Sequence, residues 1–148
     1  MSDASNCVFC GIVAGEVEAS VVHEDERTLA FMDIQPLTSG HLLVVPRRHA
    51  SALTELDPDD GAELFRVAHQ AAAALRQSAL RCDGVNFFLA DGAAAGQEVF
   101  HVHLHVFARF AGDGFGIRHP PDYAVRPREE LDAAALALRR AWLPVGHS

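Results

Sequence analysis

The chain has 148 residues, of which 49% are hydrophobic, and a formal net charge of -8 at pH 7. This length fits a single domain over residues 1–148, and no apolar run approaches the roughly 18 residues that a membrane span requires. The negative charge argues against a surface built for a nucleic acid polymer, because such binding depends on neutralising many phosphates.

The N-terminal segment carries two cysteines, Cys7 and Cys10, in the spacing CxxC, and Cys82 is the third in the chain. Three cysteines are too few for a disulfide framework, and the segment lacks the basic and then apolar pattern of a signal peptide, so we expect a cytoplasmic protein with reduced thiols. Cys82 is expected to be a small buried apolar residue. The CxxC pair fits either half of a structural zinc site or a redox pair, although a redox pair normally follows a strand.

Three short strands are predicted next, at Val21–Glu24, Thr28–Met32 and His41–Pro46, separated by turn-forming residues in an antiparallel meander. His49 directly follows the third strand. Together with His101 it could complete a Cys2His2 zinc site that ties the N-terminus to two neighbouring strands. Spacing alone leaves this site and the redox pair both open.

One long helix and two further strands follow. Asp57 is placed to cap a helix over residues 58–80, whose apolar residues recur at helical spacing. Residues 85–90 are the fourth predicted strand, and the fifth is the histidine-containing segment after the loop 91–96. Five strands and one main helix predict an α+β domain in which the helix packs on an antiparallel sheet.

The chain beyond residue 110 is rich in Gly and Pro, which predicts a long loop, and residues 129–142 are typical of a C-terminal helix. Trp142 lies on the apolar stripe of this helix and is expected to be a packing anchor. We expect the two arginines after the third strand, Arg47 and Arg48, to form an exposed turn. The histidines without a matching partner in sequence are expected at the surface or in packing: His23, His69, His119 and His147.

The segment HVHLHVF places His101, His103 and His105 at two-residue spacing. In a β-strand these imidazoles would share one face, and the apolar residues between them would lie on the other. Two of them could bind a metal that activates water. Alternatively, a neutral imidazole, with a pKa of about 6.5, could itself attack phosphorus, while the backbone of the loop 91–97 binds the anion.

Four motifs, CVFCGIVAGE, LAFMDIQPLTSGHLLVVPRRH, DGAAAGQ and HVHLHVF, resemble the histidine triad (HIT) superfamily in their order and spacing. The superfamily signature is His-φ-His-φ-His-φ-φ, where φ is apolar, and the resemblance covers residues 7–110. Within the superfamily the chain looks like the bacterial histidine triad nucleotide-binding branch, which includes members with a CxxC pair. The resemblance implies a HIT-like five-stranded antiparallel sheet and a homodimer. It also implies hydrolysis or transfer at the α-phosphate of purine nucleotide conjugates, such as nucleoside phosphoramidates or dinucleoside polyphosphates.

The resemblance also implies residue roles. His103 would be the nucleophile that forms a nucleotidyl-histidine intermediate, His105 would contact the phosphate or leaving group, and His41 would order the histidine network. Further nucleotide-binding positions would be those for the base and ribose, Phe31, Asp33 and Ile34, and those for the phosphates, Gly96, Gln97, Glu98 and Val99. Apolar residues near Phe9 and Ile12 would complete the base pocket. A structural zinc ion would be held by Cys7, Cys10, His49 and His101.

Two residues depart from the family pattern. Ala90 stands where the family usually has Asn or Gln, and Glu98 stands where Ser or Thr is common. A lost hydrogen bond to the charged phosphate region, worth about 1.5 to 3 kcal/mol, would cost roughly tenfold or more in binding or rate. Strict alternation would turn Glu98 away from the histidines. If it instead reaches the leaving-group side, we expect it to favour a cationic amine over pyrophosphate.

Two alternative functions remain open from the sequence. Ala90 and Glu98 are consistent with a nucleotide-binding regulator that has little turnover. The triad histidines could also be the metal ligands of a zinc hydrolase. A metal at the CxxC pair would argue against the second alternative, because His103 would then be free to act as the nucleophile.

Overall fold

A five-stranded antiparallel sheet organises this computed structural model, which describes residues 4–143. The strands are β1 (Val21–Glu24), β2 (Thr28–Met32), β3 (His41–Pro46), β4 (Gly84–Phe88) and β5 (Leu104–Arg109). Their order in the sheet is β1-β2-β3-β5-β4, so β5 lies between β3 and the edge strand β4. The first three predicted strands are confirmed with their bounds, whereas β4 starts one residue earlier and ends two residues earlier than expected.

Three α-helices accompany the sheet: α1 (Val8–Val13), α2 (Pro58–Gln77) and α3 (Arg128–Ala141). The main helix α2 begins as predicted, because the Asp57 side chain accepts a hydrogen bond from the backbone N–H of Asp59 at 2.9 Å. It ends three residues before the predicted end, where Ser78 adopts an extended conformation. The sequence did not predict α1, a helix of six residues that Cys7 caps by accepting from the N–H of Cys10.

The two faces of the sheet carry separate apolar clusters. One face packs against α2 and buries Leu42 and Val44 of β3 together with Val106 of β5. The other face packs against α1 through a smaller cluster, in which Phe9 meets alternate residues of β2 and β3 such as Phe31 and Leu43. The strict alternation of β3 therefore divides a fully buried strand between two cores.

The prediction that the whole histidine segment is a strand was wrong, because β5 begins only at Leu104. The backbone N–H of Val102 donates to the carbonyl of Ala50 at 2.8 Å, outside the β3–β5 ladder. The predicted division of faces nevertheless holds. Three apolar residues of the segment are buried in the cluster beneath α2: Val102, Leu104 and Val106.

The remaining predictions for the first part of the chain concern isolated side chains. Cys82 is half-buried against the α2 cluster, so it is less buried than expected. His23 pairs with Asp25 at 2.9 Å, and His69 is exposed on α2. His147 lies outside the described residues.

The described residues divide into two compact units between Asp113 and Gly114. The second unit contains α3, which has no buried residue, and Trp142 directly after it is 78% exposed. Trp142 is therefore not a packing anchor within its own unit. Within the same unit the ring of His119 stacks on Tyr123 at 4.1 Å between centroids. No helix in residues 4–143 has both the length and the apolar character to span a membrane.

Candidate active site and metal centre

A cavity of about 990 Å³ opens on the α1 face of the sheet. Its apolar wall comes from α1 and the strands behind it, and its polar wall comes from the histidine segment, Asp33 and the loop before Val99. The lining residues that the sequence predicted are Phe9, Ile12, Phe31, Asp33, Ile34, His41, Gly96, Glu98, Val99, His103 and His105. The fold thus brings residues from four separate motifs to one cavity.

Gln97 is the one predicted nucleotide-binding residue that does not line this cavity. Its side chain is 5% exposed and makes three hydrogen bonds. The amide oxygen accepts from the N–H of Gly92 at 2.8 Å, and the amide nitrogen donates to the carbonyls of Ser51 at 2.8 Å and Val99 at 3.1 Å. Gln97 therefore holds the loop before the histidine segment, and its side chain has no free N–H to donate to a phosphate.

Hydrogen bonds define the tautomers of His41 and His105. The backbone N–H of Leu37 donates to Nδ1 of His41 at 3.0 Å, so in the neutral ring the proton is on Nε2. Nε2 of His41 lies 2.9 Å from Nδ1 of His105, which must then accept. The proton of the neutral His105 ring is therefore on Nε2, and this N–H is available as a donor within the cavity.

His103 has the opposite tautomer. Its Nδ1 lies 2.7 Å from the carbonyl oxygen of His101, and a carbonyl can only accept, so Nδ1 carries the proton. Nε2 of His103 is thus left with a lone pair. The rings of His103 and His105 are 4.9 Å apart between centroids, so a nucleophilic nitrogen and an N–H donor lie side by side.

The histidines of this group are held neutral by burial. Burial, helped by the neighbouring rings of His103 and His41 and opposed by the Asp33 carboxylate, lowers the pKa of His105 to about 4. Burial also lowers the pKa values of His41 and His103, partly offset for both by the Asp33 carboxylate. Because neutral rings predominate at pH 7, the lone pair on His103 needs no separate base to release it.

Asp33 is the acidic residue of the histidine group. One carboxylate oxygen accepts from the N–H of Gln35 at 2.8 Å, and the other lies 3.4 Å from Nε2 of His41 and 4.0 Å from Nδ1 of His105. These three side chains are also close enough together to form a metal-binding group. Both nitrogens of His41 already have hydrogen-bond partners, so we assign the three to a hydrogen-bonded network.

Glu98 lines the cavity on the same side of the chain as the histidines, although strict alternation would turn it away. Alternation fails here because residue 98 precedes β5 and lies in no strand. Glu98 is exposed and has no ion-pair partner among residues 4–143. No arginine of the described chain lines the cavity, and the sequence contains no lysine.

A second group of side chains lies at the start of α1. Cys7, Cys10, His49 and His101 each offer one donor atom, and these four atoms lie within 4.8 Å of one another. The Sγ atom of Cys10 is 3.3 Å from Nδ1 of His49, and Nδ1 of His101 is 3.4 Å from Sγ of Cys7 and 3.5 Å from Sγ of Cys10. The predicted Cys2His2 set is therefore assembled and positioned to bind a metal ion.

The donor set fits zinc in chemistry and in size. Tetrahedral zinc with bonds to sulfur of about 2.3 Å and to nitrogen of about 2.0 Å separates neighbouring S and N atoms by about 3.5 Å. The observed S–N distances of 3.3 to 3.5 Å match this value. His101 also donates from Nε2 to the carbonyl of Pro46 at 2.8 Å, which leaves Nδ1 free for a metal.

The sequence did not identify several residues that line the cavity, among them Val17, Glu18, Leu37, Leu43, Phe88 and Phe107. Phe88 lies on β4 opposite His105, and strand alternation could have placed it on the histidine face. No sequence signal identifies Val17 and Glu18, because they follow α1 and reach the cavity only through the packing of that helix.

Comparisons with known proteins agree with this site. The HIT domain family model matches residues 14–112. Protein hit of Bacillus subtilis is 39% identical over 138 residues, which cover 90% of this chain and 94% of that protein. Among solved structures, the chain is similar to the crystal structure of a Zn-bound histidine triad family protein from Mycobacterium smegmatis. The two sequences are 42% identical, the TM-score is 0.74, and the match covers 95% of this chain and all of that one.

A histidine triad nucleotide-binding protein from Candida albicans is more distant, at 26% identity. It matches with a TM-score of 0.79 over 92% of this chain and 96% of its own. The family model covers the sheet, both cavity walls except α1, and the complete triad. The match over this range, the shared fold and the assembled triad show that the chain belongs to the HIT domain family.

Proposed function

We propose that the protein is a nucleotide hydrolase or transferase that acts at the α-phosphate of purine nucleotide conjugates through His103. The observation that carries this proposal is the pair of opposite tautomers: Nε2 of His103 has a lone pair, and Nε2 of His105 has a proton. Attack on phosphorus needs a nucleophile, and the developing charge needs a donor beside it. Both groups belong to one cavity wall.

The reaction would proceed in two displacements. Nε2 of His103 forms a bond to the α-phosphorus, and the bond from phosphorus to the leaving group breaks. The leaving group takes a proton from solvent, while the Nε2–H of His105, held by its hydrogen bond from His41, donates a hydrogen bond to the reacting phosphate or leaving group. Water then breaks the phosphorus–nitrogen bond, releases the nucleoside monophosphate and restores the imidazole. The water that attacks in the second displacement gives one proton back to solvent, which balances the first step.

The rest of the cavity suits a nucleoside. The apolar wall formed by Phe9, Ile12 and Phe31 fits a planar base, and the T-shaped Phe9–Phe31 pair at 5.5 Å keeps this wall rigid. The Asp33 carboxylate is positioned between this wall and the histidines, where it would accept hydrogen bonds from ribose hydroxyls. The backbone N–H groups of Glu98 and Val99 would meet the phosphate, because those of Gly96 and Gln97 already donate to the carbonyls of Ala93 and Gly92.

We further propose that Cys7, Cys10, His49 and His101 hold a structural zinc ion. Zinc would supply a link between α1, the end of β3 and the histidine segment. The contacts of the ring nitrogens argue against the alternative, a zinc hydrolase in which the triad histidines together bind the metal. His101 faces the two thiols, and Nδ1 of His103 is bonded to a carbonyl.

Single-turnover incubation with an adenosine phosphoramidate labelled in the phosphate tests the catalytic proposal. We expect a labelled protein adduct that is stable in base and labile in acid, as phosphoramidates are. The His103→Ala variant should form none, whereas His23→Ala, at a histidine of β1 outside the cavity, should form the normal amount. Binding of nucleotide without any adduct in the unmodified protein would favour the regulator with little turnover instead.

A further inference from the structure

The sheet does not fix the orientation of His103. The ladder between β3 and β5 runs from His41 opposite Phe107 to Val44 opposite Leu104, and it stops there. The main chain just before β5 is instead attached by the hydrogen bond between Val102 and Ala50. The position of the nucleophile therefore depends on how side chains anchor the segment that precedes the strand.

His101 is the anchor of this segment. Its side chain is completely buried, and both ring nitrogens have defined surroundings, one at the carbonyl of Pro46 and the other at the two thiols. The carbonyl oxygen of His101 accepts the 2.7 Å hydrogen bond from Nδ1 of His103. The side chain of His101 thus binds at the metal site, while its backbone carbonyl holds the nucleophilic ring of His103.

Phe9 provides a second connection between the two sites. It lies between Cys7 and Cys10 in the sequence and is 7% exposed. Its ring meets His103 edge to face at 5.1 Å between centroids and meets His101 at 6.0 Å. The helix that carries one metal-binding thiol and is capped by the other therefore also supplies a lateral support for the nucleophile and part of the base-binding wall.

We propose that the Cys2His2 site positions the nucleophile, so that metal occupancy and nucleotide binding are coupled. With metal bound, His101 and α1 hold the His103 ring with Nε2 toward the phosphate. Without metal, both supports loosen and the ring samples other orientations. The cluster beneath α2 contains no residue of α1, so the sheet and α2 stay folded in either state. This inference rests on the proposed nucleotide site.

Thermodynamic linkage provides the first test, with AMP as the probe. Coupling between two sites typically changes affinity by roughly 5- to 150-fold, and we expect AMP to bind about tenfold more weakly to chelator-treated protein than to zinc-loaded protein. Saturating AMP must then raise the zinc affinity by the same factor. Calorimetry measures both, and far-UV circular dichroism checks that the metal-free protein retains its fold.

The ring nitrogens of His103 provide a readout that does not depend on activity. In nitrogen-15 NMR spectra of the zinc-loaded protein, we expect a single tautomer with the proton on Nδ1. The metal-free protein should show an averaged signal for His103, while the exposed His69 stays unchanged in both states. Equal His103 signals in the two states would show that the carbonyl of His101 orients the ring without the metal.

Substitution of His49 can remove the metal without changing a residue of the cavity wall, because His49 does not line the cavity. We expect His49→Ala to lose zinc and about tenfold in AMP affinity, and His49→Cys, which restores a zinc ligand, to regain both. His23→Ala, on β1 and outside both the cavity and the metal-binding group, is the matched control and should lose neither.

The proposal is wrong if the zinc-free variant binds AMP as tightly as the zinc-loaded protein, or if zinc removal unfolds α2 and the sheet together. Failure of the zinc-loaded protein to bind AMP would instead contradict the proposed function.

Discussion

At the residue scale, Glu98 is the side chain that most changes the character of the cavity. It adds a carboxylate to the cavity whose histidines we expect to receive a phosphate, and neither lysine nor arginine lines the described cavity to balance it. A unit charge at about 4 Å interacts by roughly 1 kcal/mol in water and more strongly at lower dielectric. Glu98 should therefore oppose an anionic leaving group and attract a cationic one.

A pair of adenosine phosphoramidates with leaving amines of equal length tests this role. At the end away from phosphorus, one leaving amine carries an ammonium group, and the other carries a neutral hydroxyl group. We expect kcat/KM to favour the ammonium compound by about fivefold, corresponding to roughly 1 kcal/mol. Glu98→Gln should remove this preference, whereas Glu16→Gln, an equal charge change at an exposed residue outside the cavity, should keep it.

Two results would contradict the role of Glu98. One is an equal preference in Glu98→Gln and the unmodified protein. The other is a clear preference for a dinucleoside polyphosphate over the phosphoramidates that survives in Glu98→Ser.

At the scale of elements, the loop between β4 and β5 determines where the phosphate would meet backbone N–H groups. The loop folds back on itself through Gln97, and its two glycines, Gly92 and Gly96, have φ angles of 99° and 94°. An L-residue in this left-handed region costs roughly 1 to 2 kcal/mol. A Cβ at either position would have nothing within 4 Å, so lack of space is not the reason for glycine. The loop requires glycine at these positions because of the backbone conformation.

Substitution of Gly96 isolates this backbone effect. We expect Gly96→Ala to lower the free energy of unfolding by about 1 to 2 kcal/mol, measured by urea denaturation, and to weaken AMP binding. Gly84→Ala on β4 is the matched control, because its added Cβ also has nothing within 4 Å and its φ is not in the left-handed region. Equal stability losses in the two variants would show that strain at Gly96 is not the cause.

At the scale of the whole molecule, the edge strand β4 and the outer surface of α2 leave apolar rings exposed. Phe65 is 59% exposed and Phe87 is 41% exposed, and their rings lie 5.9 Å apart over a shallow hollow on α2. An open edge strand with exposed aromatic residues is a surface that another chain can cover. We propose a second copy of this chain as the partner, which gives the expected homodimer.

Light scattering coupled to size-exclusion chromatography tests the dimer. We expect the unmodified protein to have twice the mass of one chain and Phe65→Glu to shift toward the monomer. Val22→Glu, on the opposite edge strand β1 and 54% exposed in the unmodified protein, should remain dimeric. A monomeric unmodified protein, or dissociation by Val22→Glu alone, would contradict an interface at β4 and α2.

By itself the sequence determined the features that depend on local spacing. Alternation placed Val102, Leu104 and Val106 in the core, and the Asp57 cap placed the start of α2. The triad motif and the CxxC pair, through the family resemblance they carry, identified half of the residues that line the cavity and the complete metal-binding group. Such patterns are readable because periodicity and capping act within a few residues.

Only the tertiary structure decided the features that depend on distant partners. It started β5 only after His103, because the N–H of Val102 donates to Ala50 outside the sheet ladder, and it brought Glu98 to the cavity. It also assigned the tautomers of His41, His103 and His105. Those assignments follow from carbonyl and N–H groups that approach the rings through space, and no spacing in the sequence specifies them.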